Sequence, residues 1–193
     1  MVRRTDTRQR MLDSAAELFH QQGYHATGLN QLVAAVGAPK GSLYFHFPGG
    51  KEQLAAEAIR QSAERLCDML RAIVASSPDI ITGVENVVEA LATSLEESDF
   101  QRGCPLATVA LDASGDSEAI RQACADGYTS WHTLIAEALN RPNTLDTGKA
   151  DQLATVVLAA VEGGLLLAKT LHDTAPLRAI APHLRTTLER ELS

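Results

Sequence analysis

Lys40, Gly41, Ser42 and Tyr44 fall within one short run that carries almost no bulk apart from the lysine and the tyrosine. On a helix, such residues let the backbone come close to the edges of DNA bases while two polar tips reach outward. No comparable arrangement supports catalysis. The chain has no His-Glu-x-x-His and no Gly-x-Ser-x-Gly. Gly50-Lys51 is not a phosphate loop, because Phe45 stands where the upstream glycine is needed and Glu52 where Ser or Thr is needed. Cys67, Cys104 and Cys124 lack the paired spacing of metal ligands and read as buried small apolar residues, with redox sensing as the minority reading. No cofactor or metal is expected.

The elements around that run have the spacing of a helix-turn-helix. A first helix is expected over about 5–22, with Met11, Leu12, Ala15, Leu18 and Phe19 on one face and Gly23 past its end. Thr27 is placed as the cap of a short second helix, whose Leu29, Leu32, Val33 and Val36 form a single stripe. Gly37 ends it, Pro39 opens a third helix that stops near Phe45, and Leu43 and Phe47 point inward. A plain αα corner in a helical bundle has the same spacing, so spacing alone leaves both readings open. Five of the eight aromatics lie in the first 50 residues (Phe19, Tyr24, Tyr44, Phe45, Phe47), as core filling of a very small unit would require.

Charge agrees with a head that meets a polyanion. Residues 1–51 hold six basic side chains (Arg3, Arg4, Arg8, Arg10, Lys40, Lys51) and three acidic ones, whereas the whole chain of 193 residues has a net charge of -7. Composition is otherwise that of a folded globular protein, 45% hydrophobic and 21% charged. No apolar run is read as approaching the ~18 residues of a membrane span, no apolar signal core follows the N-terminus, and three cysteines cannot all pair. A cytoplasmic protein with no membrane partner is expected. Helical periodicity in the long Pro-free windows and the lack of strand signals predict an all-α fold. Beyond the head, helices are expected over about 51–76, 79–97, 105–112, 117–140, 147–174 and 177–192, the last kinked or started by Pro182. The division expected is a domain of 1–50 and a second of 51–193.

Gly37-Ala38-Pro39-Lys40-Gly41-Ser42-Leu43-Tyr44-Phe45-His46-Phe47, followed by Lys51-Glu52 and Leu54, resembles the helix-turn-helix signature of the TetR family of one-component bacterial repressors. Ala15-Ala16-Glu17-Leu18-Phe19, Gly23-Tyr24 and Ala26-Thr27 extend the resemblance over about residues 8–56. Pro39 departs from the serine or threonine common there and removes a hydroxyl that could touch DNA. Together with Pro48-Gly49-Gly50-Lys51-Glu52, the run Gly103-Cys104-Pro105-Leu106-Ala107 is similar to the LmrA/YxaF-like branch. The resemblance implies that Thr27, Lys40, Tyr44, His46 and Lys51 face phosphates, and that Gly28, Pro39, Lys40, Gly41 and Ser42 lie near base edges. Helix-terminal amides, a phenol and point charges are the donors a phosphate backbone takes.

The same resemblance implies a helical ligand-binding and dimerisation domain, whose residues have to be read individually. Tyr128 and Trp131 are one turn apart and read as walls of a pocket for a flat apolar effector, with ordinary core filling as the alternative. Leu66, Leu70, Leu91, Leu95, Phe100, Cys104, Leu106 and Val109 are further candidate wall residues. Glu162-Gly163-Gly164 inside an apolar helix points to a close backbone approach, since each glycine costs roughly 1 kcal/mol relative to alanine. That approach is assigned to a dimer interface of Val157, Val161, Gly163, Gly164, Leu177, Ile180, Leu184 and Leu188, forming a four-helix bundle across a two-fold axis. Packing inside one subunit is the alternative. The function expected is a homodimeric repressor on a palindromic double-stranded DNA operator, released by a small lipophilic or aromatic effector; a ligand-independent helical adaptor is the competing reading.

Overall fold

The computed structural model describes residues 4–141 and 145–192, with side chains from Thr7 onward. Arg3 and Pro142 therefore lie outside the described residues, as do the side chains of Arg4 and Asp6. The described residues form helices and connecting turns, with no strand among them. In chain order the helices are α1 (Arg4–Ala26), α2 (Leu29–Ala35), α3 (Lys40–His46), α4 (Gly50–Ser76), α5 (Ile80–Glu97), α6 (Ala107–Ala113), α7 (Glu118–Leu139), α8 (Thr147–Leu171) and α9 (Ala175–Leu192). The all-α expectation holds.

The chain divides into two compact units that do not follow a cut at residue 50. One comprises residues 1–64 and 105–127, the other residues 65–104 and 128–193. The first therefore takes in α6, the start of α4 and the start of α7 as well as the three head helices. Helix α6 packs against α1 and so adds apolar surface to the small core of the head helices.

In the first unit, Met11, Leu12, Ala15 and Phe19 bury one face of α1. Gly23 interrupts its regular helix with φ 82 and ψ 178, a conformation that favours glycine and that places the break at the residue expected from sequence. Gly127 permits another close crossing: a Cβ there would stand 2.6 Å from Leu106 and 2.9 Å from Ala63. Ser117 starts α7 by accepting from the Ile120 amide at 3.2 Å, and its hydroxyl donates to Glu52 at 2.5 Å, which ties α7 to the start of α4.

In the second unit, α9 packs along α5 and α8. Asp79 caps α5 by accepting from the Thr82 amide at 2.8 Å, and Asp146 caps α8 by accepting from Lys149 at 2.9 Å. His172, at φ 53, follows the last residue of α8, three residues before the expected stop. Pro182 sits inside α9 and neither starts nor ends it. Arg178 bridges Glu89 and Glu96, and Arg185 bonds Glu85, so α5 and α9 are clamped by charge at two levels. Helix α8 is long and apolar enough to cross a membrane by length and composition, an 18-residue window of it having a mean hydropathy of 1.6, which corrects the reading that no run comes near that length. Leu153, Val157, Val161, Leu165 and Ala168 on it are buried within the unit.

Candidate nucleic-acid interface

Two short helices meet at a turn whose geometry the glycine sets. Gly37 adopts φ 64, its amide donates to Ala34 at 3.0 Å, and the Ala38 amide donates to Val33 at 3.0 Å, closing the end of α2. Pro39 then caps α3 in an extended conformation, standing just before the helix and not as its first residue. Leu43 and Phe47 are 1% and 0% exposed and anchor α3 to the unit. On its other side Lys40 and Gly41 are exposed, Tyr44 is 54% exposed, and Ser42 and His46 are half-buried. No atom lies within 4 Å of a Cβ built at Gly28 or Gly41, so both backbones are open to an incoming ligand.

Thr27 is the clearest correction. It is fully buried, donates from Oγ1 to the Gly23 carbonyl at 2.7 Å and accepts from Gln22 at 3.0 Å. The cap position of α2 belongs to Gly28, with no side-chain cap bond. Thr27 thus locks the kink of α1, and its side chain is not offered to a phosphate. Leu29, expected in the buried stripe of α2, is 36% exposed.

The excess of positive charge is also only partly on the outer surface. Arg8 pairs with Glu57 and its guanidinium lies 4.9 Å from the centre of the Phe47 ring. Arg10 donates to the Val36 carbonyl at 2.7 Å, supporting the end of α2. Lys51 is half-buried, with its ammonium 4.0 Å from the centre of the Tyr24 ring. Burial lowers its pKa, against an opposing pull from Asp112. Lys40 is the exposed cation at the head of α3. The structure adds Phe45, 57% exposed beside Tyr44, although both belong to the aromatic group expected to fill the core. The inward pair Leu43 and Phe47, four residues apart, is the signal in the sequence that Phe45 faces out.

The candidate effector residues divide between the units. Leu106 and Val109 are fully buried in the first. Leu66, Leu70, Leu91, Leu95, Phe100, Cys104, Tyr128 and Trp131 belong to the second. There Leu95, Trp131, Cys104 and Leu70 are buried, while Leu66, Leu91, Phe100 and Tyr128 are half-buried. Phe100 has a left-handed backbone conformation, φ 57, and its ring lies 5.2 Å from that of His172. Tyr128 and Trp131 stand edge to face with centres 5.4 Å apart. The Cys104 thiol lies 3.7 Å from the Tyr128 hydroxyl, and both bond the carboxyl of Glu162, which the sequence marks only as a neighbour of the glycines. All three cysteines are free and buried, and burial pushes the Cys124 thiol up to about 11.

The assigned dimer residues belong mostly to one subunit's own interior. Val157, Val161, Gly164, Leu177, Leu184 and Leu188 are buried within the chain, and Ile180 is half-buried. A Cβ on Gly164 would collide with Ile180 and stand 3.2 Å from the Leu177 backbone, so the close approach is between α8 and α9 of the same chain. Gly163 faces outward with open space around it. Beside it, Val156, Leu167 and Leu171 are 51%, 54% and 62% exposed. With Gly163 they recur at helical spacing and make an apolar stripe that α8 leaves uncovered.

Residues 11–58 match the model of the bacterial regulatory proteins of the tetR family, and residues 81–183 match the C-terminal domain of LmrA/YxaF-like transcriptional regulators. The chain is 36% identical to the HTH-type transcriptional regulator LmrA of Bacillus subtilis (strain 168), over 96% of this chain and 98% of that one. It is 34% identical to YxaF of the same organism, an uncharacterized HTH-type regulator, over 99% of this chain and all of that one. Among solved structures, the reduced form of E. coli NemR superposes with a TM-score of 0.83 at 24% identity, covering 94% of this chain and 96% of that one, a likeness of fold.

Proposed function

The chain belongs to the TetR family of transcriptional regulators, with an LmrA/YxaF-like C-terminal domain, and from that premise we propose that it represses transcription as a ligand-released homodimer on a palindromic operator. Members of this family are regulators that bind DNA and typically dimerise, and they are not enzymes. The observation that carries the reading is the double-sided α3. Leu43 and Phe47 fix one side in the core, while Lys40, Gly41 and Tyr44 stand exposed on the other. A rigid helix with a charge, a phenol and bare backbone on its outer face suits a major groove, with Lys40 and Tyr44 toward phosphates and Gly28, Pro39, Gly41 and Ser42 toward base edges. His46 and Lys51 flank this surface. Thr27 acts behind it, holding the end of α1.

The outward stripe of α8, Val156, Gly163, Leu167 and Leu171, supports the dimer contact, since a line of exposed leucines on a long helix is the kind of surface a partner helix covers. Two heads held about one helical turn of DNA apart would then read two half-sites. The effector site is placed in the second unit around Tyr128 and Trp131, for a small aromatic or lipophilic compound. Binding there releases DNA only as far as the compound prefers a conformation in which the heads are wrongly spaced. A repressor of this kind works in the cytoplasm.

The test is fluorescence anisotropy with labelled DNA from the chain's own promoter region. Wild type is expected to bind with steep salt dependence, and Tyr44→Ala to bind measurably more weakly. Equal binding by both proteins, or equal binding to scrambled DNA, sinks the assignment of α3.

A further inference from the structure

Glu162 sits at mid-length on α8, half-buried among groups of the second unit, with a thiol and a phenol for partners. Cys104 and Tyr128 both bond its carboxyl, and they lie 3.7 Å from each other. Desolvation raises the pKa of Glu162, and the two hydrogen bonds only partly oppose it. No cation among the described residues acts on it. On α7, His132 bonds the Asp151 carbonyl at 3.0 Å and the Thr155 hydroxyl at 3.1 Å. On α8 itself, Lys169 is about two turns further on with its stem by Gly103, and burial alone shifts its pKa, downward, with no opposing pull from Glu162. Among the described residues, the carboxyl therefore has hydrogen-bond donors but no counter-charge.

A desolvated carboxylate served only by neutral donors gains most from an incoming positive charge, because Coulomb attraction grows as water is excluded. Beside it is an aromatic face held in place. The Tyr128 ring is braced edge-on by fully buried Trp131 at 5.4 Å between centres, and an aromatic ring adds attraction for a cation that comes over it. A purely structural cluster would be served equally well by a neutral amide at this position, without the cost of partly burying a carboxyl.

We propose that Glu162 is the anchor for a cationic group on the effector, which would be an aromatic or lipophilic compound carrying a protonated amine, its charge against the Glu162 carboxylate and its apolar body along Tyr128. This rests on the reading of the Tyr128 and Trp131 region as the effector site. It narrows the ligand class from lipophilic compounds in general to amines.

The experiment is calorimetric titration of the full chain with two matched probes, 1-naphthylmethylammonium and the neutral 1-naphthylmethanol, at a pH where the amine is charged. Wild type is expected to take the ammonium roughly tenfold more tightly than the alcohol. Glu162→Gln is expected to erase that preference while leaving the affinity for the alcohol within about twofold. Glu162→Asp, which restores the charge one methylene short, is expected to recover part of the preference; melting curves of both variants report folding. Equal affinity for both probes in wild type, or a preference kept by Glu162→Gln, overturns the assignment of charge while the effector site stands. If neither probe binds wild type, the effector site and the cation anchor fall together.

Discussion

Gly164 faces Leu177 of its own chain so closely that an added Cβ would lie 3.0 Å from the Leu177 side chain and 3.2 Å from its backbone. The glycine is what lets α9 lie against α8. Gly164→Leu is therefore expected to destabilise the folded chain itself by about 1 to 3 kcal/mol, since overpacking forces side chains off their rotamers and backbones apart. Urea unfolding followed by circular dichroism checks this. A variant with wild-type stability that simply sediments as a monomer would return Gly164 to the dimer interface.

The outward stripe of α8 has to be tested separately. Leu167→Glu with Leu171→Glu puts two carboxylates where exposed leucines now stand at 54% and 62% exposure. In a lone subunit the change costs little, because these side chains are already in water. Across a dimer it buries unpaired charge, so sedimentation is expected to show monomers and operator affinity to drop by at least about tenfold as the second head no longer binds alongside the first. An intact dimer would move the interface off this face.

The difference between those two variants shows what a sequence can and cannot express. Gly163 and Gly164 announce a close backbone approach, but an approach within a subunit and one between subunits make the same demand on a residue, namely that it lack a side chain. Gly23 and Gly37 were legible because the need is local: a helix has to stop, and both adopt positive φ where it does. Pro182 misled because a proline signal is local while its tolerance is tertiary. Arg8 and Arg10 looked like DNA-facing charge, since nothing nearby in the sequence marks Glu57 and the Val36 carbonyl as their partners. Glu162 was hidden for the same reason. Cys104 and Tyr128, which bond it, are 58 and 34 positions away in the sequence, and only the packing of α7, α8 and the turn before α6 joins them.

Thr27 and Lys40 separate support from direct binding at the DNA surface. Lys40→Ala is expected to weaken operator binding and flatten its salt dependence by about 0.9 in slope for each phosphate it no longer neutralises. Tyr44→Ala should weaken binding by roughly 1 to 2 kcal/mol per subunit and leave melting nearly unchanged. Thr27→Val removes the buried hydroxyl that donates to the Gly23 carbonyl, so it should cost about 1 kcal/mol of stability and leave the salt slope intact. Measuring affinity from about 50 to about 300 mM salt, a range that brackets the ~8 Å screening length of physiological ionic strength, distinguishes them. A flattened slope in Thr27→Val would place that residue on the phosphates after all.

Glu162 also sets a pH dependence that needs no ligand. Burial raises the pKa of its carboxyl in the folded chain above the value it has when unfolded. The unfolded state then gives up this proton at lower pH than the folded state does. Its contribution to stability is complete below the ordinary glutamate range and is lost as pH rises through the folded-state value, after which it stays constant. Glu162→Gln keeps the shape of the side chain and removes the titration. Compared with wild type, the variant should gain stability on going from about pH 4 to about pH 8, with the whole gain appearing between the unfolded and folded pKa of Glu162. Urea midpoints of the two proteins across that range provide the measurement. A difference that is flat with pH would mean the carboxyl is as well solvated in the folded chain as in the unfolded one, and one that runs the other way would mean that its hydrogen bonds from Cys104 and Tyr128 outweigh burial and favour the charged form.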